Sequence, residues 1–207
     1  APILFKMGIP ATFFITTGFV DNRNLGFLNK ISILLDYLEN EDVFHHYQRD
    51  LESVLRISNV DKGITKSIIS GIEYPDRNKV DQLASIVNLD FESYAREFQP
   101  FLTSAQLQSL LKQGFALGSH SFDHPRYPLI TEKEQLYQTR ISMDFMVENF
   151  HLDYRAFAFP HSDEGVKAGF FNTVFESEFV DILFGTRGIR DEFSPRLIQR
   201  ISMEKPL

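Results

Sequence analysis

Phe115-Ala116-Leu117-Gly118-Ser119-His120-Ser121-Phe122-Asp123-His124-Pro125 reads as a short strand running straight into a loop with two imidazoles four residues apart. A brief apolar run that stops at turn-forming residues has the pattern of a buried parallel strand. With His120 and His124 at its carboxyl end, both rings can reach one ion, and imidazole is the commonest ligand for borderline metals such as zinc. A hydrolytic site needs about three protein ligands and an open water position, of which two are visible here. Alone, a His-x-x-x-His pair is weak evidence, because a chain with 6 histidines in 207 residues produces such spacings by chance.

Working outward, Thr103-Ser104-Ala105-Gln106 opens a helix with Thr103 as N-cap and Gln106 at the capping-box position, and Gly114 closes it. A second capping box, Thr131 to Glu134, starts a long helix over about 131–150, followed by the strand Ala156-Phe157-Ala158-Phe159. Apolar segments at 180–184 and 197–201 predict the last two strands. Near the start, residues 3–7 end a helix at Gly8, Pro10 prevents its continuation, and Ala11-Thr12-Phe13-Phe14-Ile15-Thr16 is a strand. Strands alternating with helices imply parallel β/α units, whose chemistry gathers at the carboxyl ends of the strands.

From 22 to 100 the apolar positions recur at helical spacing among many charges, as in Leu28, Ile31, Leu34, Leu35 and Leu38, and again in Val80, Leu83, Ala84 and Val87. This predicts an inserted helical layer, with a helix starting at Asp90. The net charge of −7 and the absence of a basic run argue against nucleic acid as a partner. No cysteine is present, which excludes disulfides and thiolate ligands and leaves the compartment open. No apolar run is long enough to span a membrane, and any targeting segment is expected upstream of Ala1. With 21 Phe and no Trp, stacking on a sugar ring would fall to Phe and Tyr.

Four stretches in order, Gly8-Ile9-Pro10-Ala11-Thr12-Phe13-Phe14, residues 102–115, Gly118-Ser119-His120-Ser121 to His124-Pro125, and Phe157-Ala158-Phe159-Pro160, resemble the polysaccharide deacetylases of carbohydrate esterase family 4, the NodB-homology domains. The resemblance covers about 1–20 and 101–207. It implies a single α/β domain over 1–207, a distorted (β/α) barrel with 22–100 inserted, and hydrolysis of N-acetyl groups on a carbohydrate. It assigns the metal ligands to His120 and His124, with zinc favoured over cobalt, nickel or iron. Ser121 would hold the loop by a local side-chain to backbone hydrogen bond, and Asp123 falls at a variable position.

The third motif implies a groove wall at Pro160 and an oxyanion-stabilising backbone N–H at His161. The family mostly places an aromatic residue and then Gly after that proline, whereas this chain reads Pro160-His161-Ser162-Asp163-Glu164-Gly165. The His161 ring is a candidate acid toward the leaving amine and also a candidate groove residue. Asp163 is open between a metal or substrate ligand and the N-cap of the next helix. Arg155 is out of register with the family's arginine, whose place is taken by Ala158, and His45, His46 and His151 read as surface residues.

The family's Thr-Phe-Asp-Asp-Gly strand, which carries its base and third ligand, does not occur in the sequence and is expected upstream. The Trp motif is unmatched, and no Leu-x-His lies within 197–203. An inactive carbohydrate-binding relative and an interaction scaffold using 22–100 stand as the alternatives. The substrate class implied is an N-acetylated glycan.

Overall fold

The computed structural model describes residues 1–201, so the last two residues of the stretch searched for Leu-x-His lie outside the described residues. In chain order the elements are α1 (Pro2–Lys6), β1 (Thr12–Ile15), α2 (Phe27–Glu39), α3 (Glu41–Leu55), α4 (Lys62–Ser70), α5 (Asn78–Ile86), α6 (Phe91–Phe98), α7 (Ser104–Lys112), β2 (Ala116–Ser119), α8 (Glu132–Phe150), β3 (Ala156–Ala158), α9 (Ala168–Glu176), β4 (Ile182–Gly185) and β5 (Leu197–Gln199). They fall into two compact units, 1–21 with 101–207, and 22–100.

The first unit is a mixed α/β fold on a five-stranded sheet, every neighbouring pair parallel, in the order β1-β2-β3-β4-β5. Consecutive parallel order, with helices in the first three crossovers, is compatible with a β/α barrel. Pairing of Phe14 with Gly118, and of Ala158 with Phe184 and Phe184 with Ile198 in the next two ladders, sets one face of the sheet. On a flat sheet β1 and β4 would lie about 14 Å apart, three strand spacings. The Phe14 and Phe184 ring centroids are nevertheless 5.1 Å apart, so the sheet curls strongly toward this face. Gly118 permits the curl, since a Cβ there would stand 2.6 Å from the Phe14 ring and 2.9 Å from the Ala156 carbonyl.

The opposite face is the core. Phe157, Leu183 and Leu197 pack with Phe159, Phe170, Phe171, Val174 and Tyr127, while Leu117 and Phe13 join Leu107, Leu110, Met146 and Phe150. Full burial of each such side chain contributes roughly 1.5–3 kcal/mol. Local signals place the helices on that face. The Thr103/Gln106 capping box of α7 is complete, with Gln106 N donating to Thr103 Oγ1 and Thr103 N to Gln106 Oε1. At α8, Thr131 Oγ1 accepts from Glu134 N. Gly8 and Gly114 end their helices at φ +65° and +84°, a region only glycine enters freely.

Residues 22–100 form α2 to α6, as their spacing predicts. Asn40, Asp61 and Asp90 cap α3, α4 and α6, their side chains accepting from backbone N–H groups of the first turn. Leu34, Leu51, Ile69, Val80 and Val87 are fully buried.

Candidate functional site

At the carboxyl end of β2 the chain turns through two residues in the left-handed region, Ser121 at φ +68° and His124 at φ +64°. Neither is glycine, so this backbone is strained and must be held from outside. Ser121 Oγ accepts from His124 N at 2.9 Å, the local bond expected from its sequence. Gln138 on α8 accepts from both Phe122 N and Asp123 N through Oε1, at 3.2 Å each. From the other side, Thr17 N donates to the Ser121 carbonyl and Gly18 N to the Phe122 carbonyl. Gly18 allows that approach, since a Cβ would meet the Phe122 oxygen at 2.5 Å.

The clamped loop sets His120, His124 and His161 in a row, with ring centroids 4.9 Å and 4.6 Å apart. His120 Nδ1 lies 2.7 Å from the Ala158 carbonyl oxygen. A carbonyl only accepts, so Nδ1 carries the proton and Nε2 keeps its lone pair, the tautomer suited to a metal ligand. Burial lowers the pKa of His120 to about 4, against the Ala158 bond, and the nearby charges of His124, Arg200 and His161 lower it further. Burial and then His161 lower His124 to about 4. Both rings are therefore neutral at pH 7.

His161 follows Pro160 with φ +56°. Its pKa is lowered by burial and by the charge of Arg126, and raised by the His124 backbone. Its carbonyl accepts from Thr186 Oγ1, while its backbone N–H donates to no group among the described residues. Pro160 is buried two residues beyond the carbonyl that holds His120, so the two motifs share one end of the sheet.

Asp163 does not cap the next helix, where Lys167 stands at the N-cap of α9. The residue is 2% exposed, and its carboxylate accepts from Thr186 N, Arg187 Nε and Gln199 Nε2 at 3.0, 2.8 and 2.8 Å. These donors follow β4 or end β5, so the carboxylate ties the strand ends together. Arg155 lies at the other end of β3, beside Asp144 and Asp181. His45 and His46 are exposed on α3, and the exposed His151 ends α8.

Sequence reasoning missed Gln138, Gly18 and Arg200. Arg200 follows β5 on the inner face, its guanidinium 5.7 Å from the centre of the Phe14 ring. It donates from Nε to the Gly185 carbonyl and from Nη2 to the Phe159 carbonyl. The signal was a lone charge two residues after Ile198 in an alternating strand.

The donors fit a divalent transition metal in part. Two neutral imidazoles stand with ring centroids 4.9 Å apart, but among the described residues no group of three or more His, Asp or Glu could hold an ion.

A family model described as polysaccharide deacetylase matches residues 1–171. No curated protein matches the chain. Among solved structures, IcaB from Ammonifex degensii is similar over 98% of this chain and 61% of its own, at 13% identity and a TM-score of 0.50. The Streptococcus pyogenes deacetylase PplD in complex with acetate aligns over 48% of this chain and 44% of its own, at 18% identity and a TM-score of 0.41. The chain thus spans less than two thirds of the length of either, and the likeness to IcaB is one of fold. With most of its length matched, the chain belongs to the polysaccharide deacetylase family.

Proposed function

We propose that the chain takes part in removing N-acetyl groups from a carbohydrate, with His120 and His124 as ligands of a divalent transition metal, zinc foremost. The observation that carries this reading is the pair of buried, neutral imidazoles at the carboxyl end of β2, one of them fixed through Nδ1 with Nε2 left to bind. When bound, the metal supplies Lewis-acid polarisation of the amide carbonyl and acidifies a water.

The chain's own residues supply the groups around the acyl oxygen and the leaving amine. The unpaired backbone N–H of His161 is available to the acyl oxygen as negative charge develops there. Pro160 fixes that N–H at the end of β3. The lowered pKa of the His161 ring makes it neutral at rest. A carboxylate expected upstream takes the proton of the attacking water, and the His161 ring is the candidate acid through which a proton reaches the departing amine nitrogen as the C–N bond breaks, leaving acetate and the free amine. Asp163 holds Thr186, whose hydroxyl fixes the His161 carbonyl.

The same reading takes 22–100 as an insertion into one domain, supported by the single departure from the first unit at 21 and return at 101. Zinc titration of the wild type beside His120→Ala and His124→Ala tests the ligand pair, with deacetylation of N-acetylglucosamine oligomers measured in parallel. With only two imidazoles, zinc binding is expected to be weak and further reduced in each variant. Equal zinc binding by all three proteins would remove the pair as ligands.

A further inference from the structure

Helix α8 turns a polar stripe inward. Gln135, Gln138, Thr139 and Ser142 follow one another at helical spacing and are all buried, Thr139 and Ser142 completely. A helix face packed this deeply is ordinarily apolar, because a buried polar group costs free energy unless it is hydrogen-bonded. The partners of these four lie along one segment. Ser142 Oγ meets Ser119 Oγ at 2.6 Å, on the residue before His120. Gln138 Oε1 accepts from Phe122 N and Asp123 N, between the two histidines. Thr139 Oγ1 meets the Tyr127 hydroxyl at 2.8 Å, and Gln135 Nε2 donates to the carbonyls of Tyr127 and Ile130, beyond His124. The stripe therefore grips the chain before, between and after the two imidazoles.

Gln138 holds the part that decides where the rings point. Ser121 and His124 both have positive φ, and each such non-glycine residue costs roughly 1–3 kcal/mol unless its surroundings fix it. Two successive N–H groups converge on one Gln138 oxygen, which sets the turn between the strained residues. Glu134, one turn earlier on α8, decides which way the amide faces: its Oε1 accepts from Gln138 Nε2 at 3.0 Å, so the oxygen is left for the loop. Glu134 is itself seated by the Thr131 cap on its backbone N–H.

Resting on the reading of His120 and His124 as ligands, we propose that Gln138 is the positioning residue for that pair, oriented by Glu134. It acts through the loop backbone and keeps the ring centroids 4.9 Å apart, so that the pair is arranged for one ion before an ion arrives. Such support matters most where ligands are few, since two imidazoles impose little geometry of their own.

The test compares the wild type with Gln138→Met, with Gln138→Glu, and with Gln138→Glu combined with Glu134→Gln. Metal-free protein is read by amide hydrogen exchange at Phe122 and Asp123 and by magnetisation transfer between the His120 and His124 rings, with thermal melting alongside, and zinc titration follows. Gln138→Met keeps the length of the side chain and loses both amide groups, so exchange at the two amides should quicken at least about tenfold and the ring-to-ring transfer should weaken. Zinc affinity should fall about tenfold or more, as for other residues that orient ligands. Gln138→Glu keeps the acceptor but sets two carboxylates against each other. Adding Glu134→Gln puts a donor back between them, and the double variant should recover most of the wild-type values. A general loss of stability would not produce that recovery, and the charge variants decide the matter if Gln138→Met does not fold. Unchanged exchange and ring transfer in folded Gln138→Met, or a double variant no better than Gln138→Glu, would overturn the inference. If the metal-free results are as expected and the wild type takes up no zinc, the ligand reading falls and the positioning of the loop stands. Equal zinc affinity in the wild type and in a folded Gln138→Met with a disturbed loop would do the reverse.

Discussion

In residues 22–100 several ion pairs lie in water. Lys66 Nζ is 3.3 Å from Glu39 Oε1 with the side chains 62% and 57% exposed, and Lys79 meets Asp76 at 3.2 Å with both more than half exposed. In the sheet unit, Arg187 Nε meets Asp163 Oδ2 at 2.8 Å, and that carboxylate side chain is 0% exposed. The histidines divide in the same way: His45 lies on an exposed helix face, whereas His120 and His124 are buried with lowered pKa values. The helical unit uses charge to keep its outer face wet. The sheet unit withdraws charge from water, where each group needs its partner and where each can act strongly on a ligand.

Asp163→Ala is the severest way to probe that difference. It leaves Arg187 Nε without its acceptor, with Glu192 as the remaining carboxylate of that arginine, and strips the acceptor from Thr186 N. Breaking a buried pair from one side costs about 3–5 kcal/mol, and the melting temperature should fall accordingly. A loss under about 1 kcal/mol would show that the buried network behaves like the exposed pairs.

Acid should separate the units next. With folded pKa values of about 4 for His120 and His124 against an ordinary 6.5 for histidine, the unfolded chain binds more protons between those limits. Their contribution to stability is therefore complete above pH 6.5 and is lost as pH falls toward 4. The slope is at most about 1.4 kcal/mol per pH unit for each ring, less for His124, which lies nearer solvent. Urea unfolding between pH 4 and 7 should show this limb shrinking in His120→Gln and unchanged in His45→Gln. An identical limb in both variants would mean that burial of His120 does not set it.

Much of this contrast was legible in the sequence. Capping residues Thr103, Thr131 and Asp90, the glycines after α1 and α7, and the helical spacing of 22–100 are local signals, and local physics decided them. The His120–His124 loop was legible because a strand end followed by two imidazoles is a short-range pattern. Arg200, Gln138 and Gly18 were not, because their meaning comes from chain segments far away: Phe14 and Phe159 for Arg200, the Phe122 backbone for Gln138 and Gly18. Asp163 stayed open between a ligand and an N-cap for the same reason. Its sequence neighbours suit a helix start, but its partners come from 186, 187 and 199.

Gly118→Ala sharpens the comparison at a smaller scale, since it adds one methyl group to the curled face without touching a charge. The new Cβ must displace the Phe14 ring from 2.6 Å and has the Ala156 carbonyl at 2.9 Å behind it. Overpacking of this kind costs typically about 1–3 kcal/mol. The expected result is lower stability, read from the melting temperature. Unchanged melting would mean that the sheet relaxes without cost and that the curl does not depend on a glycine at 118.

Lys66→Ala should do least, and its smallness is what the comparison requires. Lys66 and Glu39 hold a single long contact, 3.3 Å, between side chains that are both mainly in water. There the Coulomb attraction is weak, and holding two flexible side chains in one geometry costs entropy that nearly cancels it. Lys62, by contrast, is only 26% exposed and bonds both the Glu39 carbonyl at 2.5 Å and Glu41 Oε1 at 2.7 Å, so it can hold this part of the surface without Lys66. The expected change in unfolding free energy is within about 0.5 kcal/mol, and it should shrink further in high salt because exposed charges are screened. A loss above about 1 kcal/mol that survives 1 M salt would place Lys66 in a desolvated network and erase the difference drawn between the two units.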